Sequence, residues 1–215
     1  YDGLGKRRIK LVDDEDMIHY RWDAGYNVLA EYEADTTPWD IEGFKRFFVP
    51  KGHTAFAEAT PDANGNPIYG TYTYLAHDHL GTGRFAYNQA KSQTGMVEHT
   101  PHGERITQTG YIPYHEFTGK PFDGEIGMYY FPFRYYYPFT GGWITPDPAG
   151  LVDGPNVYGY VRGNPIMVYD PYGDVSMFAM TCAAICGLVG GAAGGIICGL
   201  LGTGLGPGGA ICLAA

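Results

Sequence analysis

Two aspartates and one arginine are the residues whose types and spacing suit catalysis in this chain. Asp147-Pro148-Ala149-Gly150 and Asp170-Pro171-Tyr172-Gly173 share the pattern Asp-Pro-x-Gly. Pro presets φ and Gly accepts a positive φ, so each motif presents its aspartate on a turn. Arg134 sits upstream among the tyrosines and phenylalanines of residues 128–137. A guanidinium in such surroundings is costly without a carboxylate, and the two aspartates are the nearest candidates in sequence. Carboxylates brought close together share one proton, so one can activate water while the other polarises or protonates a scissile carbonyl. The plainer reading is that each Asp caps backbone amides within its own turn.

Other groups have less to offer. His77 and His79 flank Asp78 and would share one face of a strand, as a metal pair does, but His99 and His102 are too loosely placed to complete a set. The stretch His77-Asp78-His79-Leu80-Gly81 therefore reads as a structural turn, and neither a metal nor a cofactor is expected. Gly81-Thr82-Gly83 lacks the lysine and the helix of a phosphate loop. The aromatics of 129–139 would serve as a sugar-stacking platform in a carbohydrate-binding module, although aromatic layers in a core are the commoner outcome. Cys182, Cys186, Cys198 and Cys212 allow three pairings and fit no zinc pattern.

The elements that must position these residues are short strands. Among 215 residues there are 33 Gly, 15 Pro and 19 Tyr, and 17% of the chain is charged. That composition favours many strands and turns over helices. A balance of 23 acids against 14 bases, net −9, argues against a nucleic-acid surface. Tyr1-Asp2-Gly3-Leu4-Gly5 returns as Trp22-Asp23-Ala24-Gly25-Tyr26, and more weakly as His77-Asp78-His79-Leu80-Gly81, a recurrence expected of stacked supersecondary units. Runs 9–12, 18–22 and 28–32 fit strands, and Asn64-Gly65 signals a hairpin joining 54–59 to 68–74. Residues 36–52 read as an irregular strand region or insertion. Asn156 to Pro165 reads as a short strand-like run that folds the second Asp-Pro turn back toward the first. With Tyr1 falling inside a repeat and no signal peptide, the chain reads as a fragment or processed product.

The ordered runs Phe117-Thr118-Gly119-Lys120-Pro121, Gly127 to Tyr136, Trp143 to Pro148 and Asn164-Pro165 to Gly173 resemble the core domain of Rhs/YD-repeat proteins. The resemblance is dense from 110 to 173 and looser before. It implies a mainly β fold in which a spiral of β-hairpins forms a shell end and a core domain plugs it. The division it implies is 1–109 for terminal YD-repeat hairpins, 110–174 for the core domain, and 175–215 for a variable C-terminal segment held inside. Arg134, Asp147 and Asp170 fall on the family's functional positions, those of a single-turnover, aspartic-type autoprotease. The resemblance puts its cut between Asp174 and Val175. Where the family carries Leu or Met this chain has Asp174, whose charge beside the pair is expected to slow cleavage. Residues 137–142 also depart from the family, carrying Tyr137-Pro138 and Gly141-Gly142.

From Val175 to Ala215 the chain has no charged residue, and Gly187, Gly191, Gly195 and Gly199 recur one helical turn apart. Met177 to Leu201 is long enough to span a bilayer core as a glycine-faced helix, which is favoured here over a buried hairpin or a sheltered apolar tail. The implied function is a bacterial secreted or cell-surface shell end that encloses and releases its own C-terminal segment, an effector of toxin type. Its expected partners are the upstream shell repeats, that segment and, for the tail, a membrane; nucleic acid is not among them. The alternative is a non-cleaving structural surface protein anchored by the tail.

Overall fold

The computed structural model describes residues 1–12, 16–34, 41–59 and 72–178, and the chain over these is mainly β. Nine strands follow one another as an antiparallel meander: β1 (Ile9–Val12), β2 (Asp16–Trp22), β3 (Val28–Ala34), β4 (Ile41–Lys51), β5 (Thr54–Ala59), β6 (Thr73–His77), β7 (Gly83–Tyr87), β8 (Gln93–His99) and β9 (Arg105–Gly110). A second sheet pairs β10 (Phe122–Asp123), β11 (Met128–Tyr130), β12 (Tyr135–Tyr137) and β13 (Gly142–Trp143), and a last pair joins β14 (Val168–Tyr169) to β15 (Met177–Phe178).

The repeat has a defined chemistry. At Asp23 the backbone amide donates to the Asn27 carbonyl at 3.0 Å, and the Asn27 amide donates back to Asp23 Oδ1 at 2.8 Å. The same closed turn recurs at Asp2, Asp78, Asn88 and, through its hydroxyl, Thr100. Any short side chain with an acceptor two or three bonds from Cα closes it, which is why Asn88 and Thr100 escape a search for acidic repeats. The histidines beside Asp78 serve different contacts: His77 Nε2 meets Thr54 Oγ1 at 3.0 Å, and His79 Nε2 meets the Ile166 carbonyl at 2.7 Å.

Several expectations change. Asn156 to Pro165 is not a strand: it makes turns around a 3-10 turn at Val161–Gly163, with Val161 and Arg162 at φ 43° and 55°, and a single bridge joins Gly159 to Gly142. Within 36–52, Ile41–Lys51 is a long strand whose irregularity lies in register shifts against β3 and β5. Asn64-Gly65 lies outside the described residues. Met177 does not begin a helix, because Met177–Phe178 pairs with β14; the rest of the proposed apolar helix, and all four cysteines, lie outside the described residues. Among the described residues no helix is long and apolar enough to cross a membrane.

Two cores result. Tyr20, Val28, Phe48, Ala55, Leu75 and Ala86 pack on one face of the meander. Phe117, Tyr129, Phe131, Tyr136, Trp143, Tyr160, Val161 and Val168 form the second, so Tyr129, Phe131 and Tyr136 of the aromatic run are interior, while Phe133 and Phe139 are exposed. Phe117 stacks on Tyr136 at 5.5 Å between ring centroids, and Phe131 meets Trp143 edge-on at 4.9 Å. The two bodies are joined by charge. Arg7 pairs with Asp123 while its guanidinium lies between the rings of Tyr20 and Tyr130, at 4.6 and 4.2 Å. Farther along, Glu116 takes Arg105 through both oxygens, at 3.0 and 2.6 Å.

Gly103 is a closely packed point of this junction. Its φ is +86°, and a Cβ there would lie 2.6 Å from the ring of Phe117. Gly103→Ala should therefore cost about 2 kcal/mol or more through backbone strain and overpacking, read as a lowered midpoint in urea unfolding of the full chain.

Candidate active site

The strand pair β11–β12 turns through Pro132 and Phe133, and Arg134 follows with its side chain only 1% exposed. Its position is set by aromatics, since the guanidinium lies over the Trp143 ring at 4.1 Å. The two Asp-Pro turns converge on it. Arg134 Nη2 stands 2.8 Å from Asp147 Oδ2 and 3.3 Å from Asp170 Oδ2, with those side chains 4% and 1% exposed. Arg134 Nε donates to the Gly173 carbonyl at 2.5 Å, and Nη1 reaches the Val157 carbonyl at 3.4 Å. The structure thus brings together all three residues singled out by type and spacing. The turns of 156–165 do the folding back that the sequence assigned to a strand.

Each aspartate also serves its own turn. Asp147 Oδ1 accepts from the Ala149 amide at 2.8 Å. Asp170 Oδ1 accepts from the amides of Tyr172, Gly173 and Asp174, at 3.1, 2.7 and 3.2 Å. One oxygen of each carboxylate is therefore structural and the other faces the arginine. Gly173, at φ +84°, holds a backbone conformation that strains other residues, and a Cβ there would lie a tight 3.1 Å from that of Phe131.

Burial sets the electrostatics. It raises the Asp170 carboxyl to about 6 against the stabilising Gly173 amide, and the charge of Asp174 pushes the same way. Asp174 is itself raised, first by burial and then by Asp147, and its Oδ1 accepts the amide of Val175 at 2.8 Å. Two residues were not singled out from the sequence as part of this site, although both stand in the motifs quoted there. Trp143 forms the wall under the guanidinium. Lys120 is buried behind Asp170, its ammonium lowered to about 8 by desolvation while Asp170 draws it back up. Only three-dimensional proximity reveals them, because a lone Lys or Trp carries no spacing signal.

Arg134→Ala would leave Asp147 and Asp170 buried without their cation, at a cost of about 3–5 kcal/mol. Because Arg134 lowers the Asp170 carboxyl, losing it raises that carboxyl above about 6, so the deficit should be full at higher pH and narrow as pH falls toward about 6, a trend urea unfolding at several pH values would show.

No protein-family model matches the chain. The probable deoxyribonuclease RhsA of Dickeya dadantii is 46% identical, over 80% of this chain and 12% of that protein. The toxin protein Tse5 of Pseudomonas aeruginosa is 28% identical, over 80% of this chain and 15% of its own length. Among solved structures, TcdB2-TccC3 without its hypervariable C-terminal region superposes with a TM-score of 0.63 at 21% identity, over 80% of this chain and 9% of that one. That likeness speaks for the fold, and the chain spans only a small part of the length of the curated relatives it matches. With 46% identity to the first of these relatives over 80% of its own length, the chain belongs to the Rhs/YD-repeat proteins.

Proposed function

We propose that this chain is the closing end of an Rhs-type shell which encloses the segment from Val175 onward and cuts itself once, between Asp174 and Val175. In this reading 1–109 supplies terminal shell hairpins, 110–174 the plug and protease, and 175–215 the enclosed effector-like segment of a secreted toxin. Upstream repeats would be its neighbours. The observation that carries the reading is the single guanidinium shared by Asp147 and Asp170, in a buried site whose second turn runs directly into the bond to be cut.

The chemistry follows from the two environments. Water adds to the Asp174 carbonyl carbon as Asp147 takes its proton, while Asp170, held near 6 by burial, gives its proton to the carbonyl oxygen. When the tetrahedral carbon collapses, Asp170 recovers its proton, the bond to nitrogen breaks, and the proton on Asp147 passes to the departing Val175 amine. Arg134 holds both acids in register. Catalyst and substrate are one polypeptide, so proximity replaces binding and each chain turns over once.

A second reading has its own support. Three backbone amides on Asp170 Oδ1 are what a purely structural turn would show, and the protein would then be a non-cleaving surface shell. Intact mass of the purified full chain separates the two.

The expected result is slow division at 174–175, faster as pH falls through about 6 because the proton on Asp170 is required. Asp147→Asn and Asp170→Asn should each lower the rate by roughly 100-fold or more. Asp174→Leu should raise it by placing an apolar residue at the cut in place of a half-buried carboxylate. A wild-type chain and an Asp174→Leu variant that both stay whole across this range would establish the closed, non-processing shell.

A further inference from the structure

The residues just beyond the bond are held as firmly as those before it. Ser176 is 3% exposed, and a single oxygen, Asp153 Oδ2, accepts both its amide, at 2.8 Å, and its hydroxyl, at 2.6 Å. Asp153 stands in the turn that follows the first Asp-Pro motif, closed by the Gly154 amide on the Leu151 carbonyl at 3.0 Å. Arg162 braces that turn, donating to the carbonyls of Val152 and Asp153 at 2.9 and 3.2 Å, with Nη2 3.9 Å from Asp153 Oδ1. One residue further on, Met177–Phe178 adds as a strand to β14 through Tyr169 and Val168.

We propose that Asp153 and the edge of β14 form a leaving-side subsite, which holds an extended peptide and selects a hydroxyl side chain at the second position after the cut. The proposal rests on the self-cleavage reading and deepens it. With Asp174 tethered to Asp170 and Ser176 tethered to Asp153, the bond between 174 and 175 is fixed from both sides, the near-attack restraint that an intramolecular reaction needs. Strand addition supplies affinity without regard to sequence, while the carboxylate supplies the preference. A residue without a hydroxyl at 176 leaves half of a buried, charge-assisted pairing unmade, the kind of loss that discriminates strongly. Asp153 touches no reacting atom, so it is a positioning residue. The same loop delivers Asp147 to the arginine and Asp153 to the segment being released, which couples assembly of the acid pair to capture of the correct peptide.

The test uses the full chain with two readouts. Intact mass gives the cleavage rate: Ser176→Ala and Asp153→Ala should each slow it by about tenfold or more, and Asp153→Asn, which keeps one acceptor, should fall between Asp153→Ala and wild type. Amide hydrogen exchange in the Asp147→Asn chain gives the grip itself. Adding Asp153→Ala should speed exchange at Ser176 and through 174–178 while β8–β9 keeps its protection, which also certifies folding. A Ser176→Ala chain that divides at the wild-type rate, or unchanged exchange at Ser176 after Asp153→Ala, overturns the subsite. If no chain divides at all, the exchange arm still decides the subsite, and it is the self-cleavage reading that falls.

Discussion

Everything in the second half of the chain answers to one buried guanidinium. Arg134 has almost no contact with solvent, lies over an indole, and holds a carboxylate from each of two turns on the same nitrogen. A buried cation of this kind is tolerated only with its partners in place, and two buried carboxylates only with theirs, so neither half of the arrangement is stable alone. The loops between them are therefore constrained as strongly as any strand. Left-handed backbone at Val161, Arg162 and Gly173 is the cost of bringing Asp147 and Asp170 to one point.

The same logic explains why the site sits where it does. Tyr129, Phe131, Tyr136, Trp143 and Tyr160 make a dry aromatic interior around the arginine, and dryness is what lifts Asp170 into the range where it can hold a proton. The plug is in turn fastened to the meander by Arg7 with Asp123 and by Arg105 with Glu116. Both junctions are again ion pairs with one or both members out of water. Several of the buried charges mark the joints and the site, while Glu31 and Glu58 are buried within the meander.

Much of this was legible beforehand, and the reasons are local. The two Asp-Pro-x-Gly motifs announce their turns because Pro and Gly restrict φ directly, and Arg134 announces a buried partner because its neighbours are aromatic. The mainly β fold could be read from turn recurrence, including Asp2, Asp23 and Asp78. Asn156 to Pro165 reads as strand-like because Val157-Tyr158 and Tyr160-Val161 are strand-favouring pairs, while the fold demands left-handed backbone at Val161 and Arg162, a tertiary override of local preference. Lys120, Trp143 and Asp153 carried no pattern of their own. Their roles arise only once the loops are closed, as does the difference between the two oxygens of Asp170.

The central claim is that burial, with the charge of Asp174 pushing the same way, lifts Asp170 to about 6 in spite of Arg134, so that it can hold a proton in weakly acidic solution. A carbon-13 NMR titration of the aspartate side-chain carboxyls in the full chain tests this most directly. The account predicts a carboxyl step at about 6 that disappears in Asp170→Asn. A spectrum in which the Asp170 carboxyl titrates at about 4, the ordinary aspartate range, would contradict it.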